Sequence, residues 1–347
     1  MSQDLSILSW GVVSPGGTGV ASLSNPAAWP KTLVPENAHP GREHPVAYVA
    51  PETLPDRWRL RPRFRRASPL SHFMVEAAAQ ALEAQPGIDR SRLGMICATS
   101  VGCSLYSVRF YRQFQKEGRR FASPLLFPET VTNSPLSHLA SELNTGGPVY
   151  SQIGDKSCWS NALRTAACWL KNGDADSVLV LGAEEFEPHE LDAFRAMRWL
   201  DRPYTRPFAE GAGAVLLASG SHPNAPKLTQ IADGFCFHSL SAGVQTAQKC
   251  LGKFPPEIPV CDSATGWIET VAQKTHATRP GFGPLPNLAH EAYCASCSWD
   301  TIRAAAYLST HPSEALVVPY WGLALQVGAA LLSGSQFCPP PGGSQPL

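Results

Sequence analysis

Apolar residues in this chain gather in short unbroken runs, separated by longer stretches in which they recur every three or four positions. That alternation predicts strands buried on both faces interleaved with helices. In the first part, residues 5–13, 93–99 and 176–182 read as strands, and 206–218 as a glycine-rich turn leading into another. Residues 68–83, a stretch after Gly102, 136–143 and 158–170 read as helices, with Ser71 a candidate N-cap for the first and Asn172-Gly173 closing the last. Residues 25–66 carry many prolines and no sustained period, which predicts a long irregular excursion. In the second part, strands are expected at 227–237, 258–263, 314–319 and 326–333, and helices at 241–251, 265–274 and 296–309. Residues 278–286 read as a loop and 338–347 as a loose tail. The expected fold class is therefore layered α/β. Two halves repeat a similar order of elements, 1–223 and a shorter 224–347.

One junction in this pattern carries chemistry. In Ser151-Gln152-Ile153-Gly154-Asp155-Lys156-Ser157-Cys158-Trp159-Ser160, a strand-like approach becomes a helix at a cysteine. The first N–H groups of a helix are unpaired and its dipole is positive at that end, so a thiolate is favoured there. Cys158 reads either as a nucleophile or as a small buried hydrophobe, which is what free cysteines commonly are. The other features read more plainly. The Ser14–Gly19 glycine cluster lacks phosphate-loop spacing and reads as a turn. Aromatics at 106, 110, 111 and 114 form a helical stripe of core or interface type. His138 reads as a packed or hydrogen-bonded histidine.

Composition narrows the function classes. Charged residues are 16% of the chain and hydrophobic ones 44%, which points to large buried surfaces or a sizeable subunit interface. Lys plus Arg and Asp plus Glu are both 28, so no global field favours nucleic acid or a membrane surface. The arginines between Arg57 and Arg66 form a local basic run, a solvated edge or a site for an anionic partner such as a carrier-protein helix or a phosphate. Ten cysteines lie without a metal-like pair of pairs, and Cys294-Ala295-Ser296-Cys297 is a lone C-x-x-C. They read as reduced thiols of a cytoplasmic protein; no metal and no cofactor are expected. Residues 1–5 show no signal-peptide pattern, and no apolar run approaches the roughly 18 residues of a membrane helix.

Four stretches then match one family in order. Phe127-Pro128-Glu129-Thr130-Val131-Thr132-Asn133-Ser134-Pro135-Leu136-Ser137-His138-Leu139-Ala140 is similar to the segment preceding the nucleophile of β-ketoacyl synthases, of the thiolase superfamily. Asp155-Lys156-Ser157-Cys158-Trp159-Ser160 resembles their D-T-A-C-S-S elbow, with Cys158 at the nucleophile position. The strand after the nucleophile helix (residues 170–185) and Arg206-Pro207-Phe208-Ala209-Glu210-Gly211-Ala212-Gly213-Ala214 complete the set. The resemblance implies a thiolase-like αβαβα core of two similar halves.

The second half departs from the family pattern. Cys261-Asp262-Ser263-Ala264-Thr265 stands where an H-G-T-G-T strand end is usual, which puts Cys261 at the first catalytic-histidine position. Ala289-His290-Glu291-Ala292-Tyr293 puts His290 at the second, with Tyr293 where a glycine is usual and no lysine in 280–289. The gating loop matches Gly322-Leu323-Ala324-Leu325-Gln326-Val327, without its aromatic gate. Leu323 and Phe208 are the implied substrate-contacting residues. A missing oxyanion donor costs about 10²–10³ in rate, and a thiol is a weak substitute for an imidazole. The resemblance thus implies a protein of fatty-acid or polyketide biosynthesis, with aryl-polyene pathways one context it suggests, most like the chain-length-factor partner of an active ketosynthase. Its implied partners are acyl carrier protein and that ketosynthase in a heterodimer, or otherwise a second copy of itself. The alternative is an active synthase, with His276 serving if the register differs, or an acyltransferase using Cys158 without condensation.

Overall fold

The computed structural model describes residues 5–201, 206–265, 268–277 and 283–338. The first half contains strands β1 (Leu5–Ser14), β2 (Gly17–Thr18), β3 (Thr32–Pro35), β4 (Glu43–Ala47), β5 (Leu93–Thr99), β6 (Val149–Ile153), β7 (Ser177–Glu184), β8 (Phe208–Ala209) and β9 (Gly211–Ser219). Its helices are α1 (Asp56–Arg59), α2 (Pro69–Glu83), α3 (Ser104–Glu117), α4 (Ser134–Leu143), α5 (Cys158–Asn172) and α6 (His189–Ala196). The second half adds β10 (Lys227–Cys236), α7 (Leu240–Leu251), α8 (Glu269–His276), α9 (Tyr293–Thr310), β11 (Ala315–Gly322) and β12 (Gln326–Ser333). The large sheet runs β11-β12-β10-β1-β9-β7-β5-β6, with β2 paired to β1, and β3-β4-β8 form a small second sheet.

The period of two along the strands sorts side chains into layers. In β7, Leu179 and Leu181 pack with α2 and α4, while Val178 and Val180 pack with α5 and α9. In β12, Ala330 and Leu332 face that same α5/α9 layer, while Val327, Ala329 and Leu331 face α7 and α8. Helices α5 and α9 therefore form a central layer that touches strands from both halves, giving the expected αβαβα order. The fully buried strands β5, β7 and β11 explain the unbroken apolar runs.

Several expectations change in detail. The cap of α2 is Ser68, whose Oγ accepts from Ser71 N–H at 3.4 Å, because Pro69 takes the first helical position. Residues 258–263 form no strand; Val260 makes a single bridge to Val317, since Pro255, Pro256 and Pro259 lack ladder donors. The excursion at 25–66 contains β3, β4 and α1. Helix α9 begins at Tyr293 rather than 296, and this moves Cys294 onto its first turn. The expected tail falls outside the described residues beyond 338.

Candidate functional site at the cysteine elbow

Strand β6 ends at Ile153, the chain turns through Gly154 to Ser157, and α5 begins at Cys158, whose N–H donates to the Asp155 carbonyl at 2.7 Å. The Cys158 side chain lies at the helix start and the residue is 5% exposed. Asp155 ties this elbow to the second half: its carboxylate accepts from Lys156 N–H at 2.8 Å, and from Leu323 and Ala324 N–H at 2.9 Å each. Burial pushes its carboxyl above the usual range, opposed by those backbone donors and by Lys156. A Cβ at Gly322 would overlap this carboxylate. Gly322→Ala is therefore expected to cost about 1–3 kcal/mol by overpacking. A urea midpoint within error of wild type would exclude that clash.

Helix α9 supplies the facing wall. A Cβ at Gly182 would run into the Cys294 carbonyl, so glycine in β7 lets the start of α9 approach the sheet. There the Cys294 Sγ lies 3.6 Å from the Cys158 Sγ and 3.4 Å from the Ser100 Oγ. Cys297, one turn on, donates to the Lys156 carbonyl at 3.5 Å. Both sulfurs of the C-x-x-C thus point at the elbow. Among the described residues, no group of three or more His, Cys, Asp or Glu is arranged to hold a metal.

Among the described residues, no hydrogen bond joins the expected histidine positions to the thiol. His290 is buried with its Nδ1–H donating to the Leu288 carbonyl at 3.0 Å and its ring 4.7 Å from that of Trp29. Its Nε2 has no hydrogen-bond partner among the described residues, and none of its hydrogen bonds reaches Cys158. Burial holds its pKa below the usual value, which favours the neutral ring. Cys261 is buried beside β11, its N–H bonded to the Val317 carbonyl, and burial pushes its thiol up to about 12. His276 lies on α8, with its ring 6.3 Å from that of Trp321. His138 is hydrogen-bonded, its Nε2 2.9 Å from Glu129.

The residue after His290 instead reaches the elbow. Lys156 Nζ lies 3.0 Å from both Glu291 carboxylate oxygens and 3.3 Å from Thr265 Oγ1, and Thr265 also bonds Glu291. This buried group joins the elbow to the Cys261–Thr265 and His290–Glu291 segments. Burial works against the Lys156 charge, but Glu291 outweighs it and the pKa rises above the usual lysine value. Sequence reasoning passed over it, although a lysine where the family pattern has threonine was a visible signal.

Beside the elbow opens a cleft of about 270 Å³, lined by Ser100, Gly154, Phe194, Met197, Tyr293 and Leu323 among others. Leu323 borders it. Phe208 does not: it is buried behind Phe194, the two rings stacked at 5.5 Å. Four further carboxylates lie buried nearby. Glu184 accepts from Thr99 Oγ1 and from the N–H groups of Ser100, Val101 and Gly102, Glu185 from Leu70 and Leu105 N–H, Glu190 from Tyr293 Oη–H and Ser104 Oγ–H, and Glu210 from Val49 and Phe186 N–H. The basic run divides: Arg57 pairs with Glu76 and Glu83, and Arg61 with Glu142, whereas Arg65 and Arg66 line a surface cleft with Arg109 and Tyr106.

The family model described as the N-terminal domain of β-ketoacyl synthase matches residues 9–222. β-Ketoacyl-[acyl-carrier-protein] synthase III of Neisseria meningitidis is 28% identical over 178 residues, covering 51% of this chain and 46% of that protein. The chloroplastic 3-oxoacyl-[acyl-carrier-protein] synthase I of Arabidopsis thaliana is 30% identical over 182 residues, covering 46% and 38%. The chain spans about half the length of the curated relatives it matches, or less. Among solved structures, the ishigamide ketosynthase/chain length factor superposes with a TM-score of 0.78 at 18% identity, over 95% of this chain and 99% of that one. A β-ketoacyl synthase from Burkholderia phymatum gives 0.72 at 16% identity, over 96% and 100%. These likenesses establish a thiolase-like ketosynthase fold. Among the described residues, no helix is long and apolar enough to cross a membrane.

Proposed function

The chain belongs to the β-ketoacyl synthase family, and from that premise we propose that it is a non-condensing partner subunit of the chain-length-factor kind, acting in fatty-acid or polyketide synthesis beside an active ketosynthase. One observation carries this reading: the Cys158 sulfur faces the Cys294 sulfur, while the segments aligned with the catalytic histidines meet the elbow through the Lys156–Glu291 pair. Decarboxylative condensation needs oriented donors for a developing enolate. No hydrogen bond joins His290 to Cys158 among the described residues, and a buried thiol at Cys261 is a weak donor in place of an imidazole.

The surface supports a partner of the same fold. Strand β6 is the sheet edge and exposes Val149, Tyr150 and Ile153, and Tyr111 and Phe114 of α3 are exposed too. An apolar edge strand invites pairing. The ishigamide neighbour is itself a ketosynthase/chain length factor, which accords with a heterodimer here. The Arg65, Arg66 and Arg109 cleft suits the acidic surface of an acyl carrier protein. A second reading, acyl transfer through Cys158, is favoured by the position of the thiol at the start of α5.

The test is carbon dioxide release from malonyl-loaded carrier protein by the purified chain. The expected rate is lower by about 10² or more than that of an active ketosynthase assayed alongside, with a stable 1:1 complex forming when the chain is co-expressed with a complete ketosynthase. Decarboxylation within about tenfold of the active enzyme would remove the partner reading. Thioester formation at Cys158 without decarboxylation would establish the second.

A further inference from the structure

We infer that Cys158 and Cys294 form a reversible dithiol that peroxide converts into an intramolecular disulfide. This modification site does not rest on whether Cys158 ever carries an acyl group. The two sulfurs are 3.6 Å apart. A disulfide is about 2.05 Å long, so closure requires the sulfurs to approach by only about 1.5 Å.

Each cysteine sits in the first turn of a long helix, Cys158 starting the 15-residue α5 and Cys294 second in the 18-residue α9. Two helix N-termini therefore converge on the sulfur pair, and both favour negative charge there. Gly182 seats the start of α9 against the sheet, which holds Cys294 at that spacing. Cys297 is turned to the Lys156 carbonyl and Cys97 lies 3.9 Å from the Met74 sulfur, so Cys294 is the thiol presented to Cys158. The approach for a small oxidant is the 270 Å³ cleft, which Ser100, Gly154 and Tyr293 border. Ser100 touches the Cys294 sulfur, and Gly154 packs on the Cys158 side chain.

The chemistry balances with hydrogen peroxide as the oxidant. The Cys158 thiolate attacks one peroxide oxygen; an S–O bond forms, the O–O bond breaks, and hydroxide leaves as water after taking a proton. The Cys294 sulfur then attacks the Cys158 sulfenic sulfur; the S–S bond forms, the S–O bond breaks, and the departing hydroxide takes the Cys294 proton as a second water. The two thiols together lose two electrons, and peroxide accepts them. Burial and the neighbouring Cys158 raise the Cys294 thiol above its ordinary value, so Cys158 is the initiator, and Cys294 gives up its proton to the departing hydroxide as it attacks.

The experiment treats the full chain with hydrogen peroxide, digests it with trypsin under non-reducing conditions, and sequences the cross-linked peptides by mass spectrometry. Peptide 157–164, which holds Cys158 alone, is expected joined to the peptide containing Cys294, with dithiothreitol reversing the link. In Cys294→Ser, Cys158 should instead accumulate sulfenic and sulfinic acid, at least about tenfold above wild type, while Cys297→Ser should leave the cross-link intact. Because Cys294→Ser could fail to fold, phenylarsine oxide on the unmodified chain gives a second readout. It bridges close thiols and should shield both Cys158 and Cys294 from iodoacetamide. A cross-link to Cys297, over-oxidation of Cys158 in wild type with no cross-link, or independent alkylation of both thiols after arsenical treatment would overturn the inference.

Discussion

Lys156→Met is expected to destabilise the protein by about 3–5 kcal/mol, the cost of leaving one member of a buried ion pair behind. Lys156 and Glu291 are both almost wholly buried, and the Lys156 Nζ lies 3.0 Å from each carboxylate oxygen. With the ammonium gone, the donors left to Glu291 among the described residues are Thr265 Oγ1 and the Tyr293 N–H, and its charge is uncompensated in an apolar interior. Lys156→Met combined with Glu291→Gln should recover a large part of the loss, since well-packed neutral groups in place of a buried pair are often nearly neutral. Equilibrium urea unfolding of the wild type and the two variants checks this. A single variant within about 1 kcal/mol of wild type would mean that water reaches the pair. The loss should also loosen three segments together, because Lys156, Thr265 and Glu291 belong to the elbow and to both segments facing it.

Stability is expected to fall as pH rises from about 5 to about 9. Burial raises the carboxyl of Glu184 to about 7, Glu185 to about 8, Glu190 to about 8 and Glu210 to about 7, from an ordinary value of 4.5. Mutual repulsion adds to the burial effect: Glu210 and Glu184 raise Glu185, and Glu184 raises Glu190. Between pH 4.5 and these values the folded chain holds protons that the unfolded chain has released. Unfolding is then easier at higher pH, by about 1.4 kcal/mol per pH unit for each proton that differs. Above about pH 9 the trend should flatten. On the acid side, Glu36 behaves oppositely: Arg195 and His44 hold it down at about 2, so its contribution is lost as pH falls from about 4.5 to about 2. Melting temperatures across this range test the slope, and Glu185→Gln should reduce it. A melting temperature that rises from pH 6 to pH 9 would contradict the burial of these acids.

The elements that were readable from the pattern are those whose own residues decide them. Strands β5 and β7 are apolar throughout because both faces are covered, and α5 carries its own stop in Asn172-Gly173. The Cys158 elbow was readable as well, since its strand, turn and helix are contiguous. Residues 258–263 misled because an apolar run hid the prolines that deny it a ladder. Phe208, implied by the family resemblance, does not line the cleft because the ring of Phe194 stacks against it, a contact that a motif match does not record.

By itself, the sequence determined the layered α/β class, the family and the position of a cysteine at a helix start, because each is set by short-range periodicity or by contiguous residues. Which groups meet at that cysteine was decided only by tertiary structure. Cys294 is 136 residues away in sequence and Glu291 is 135 residues from Lys156. Their convergence depends on how closely α9 packs against β7, on Tyr293 starting that helix early, and on the alternation that turns His290 toward Trp29 and Glu291 toward the elbow. Such distances arise from packing between the two halves, and local propensity holds no record of them.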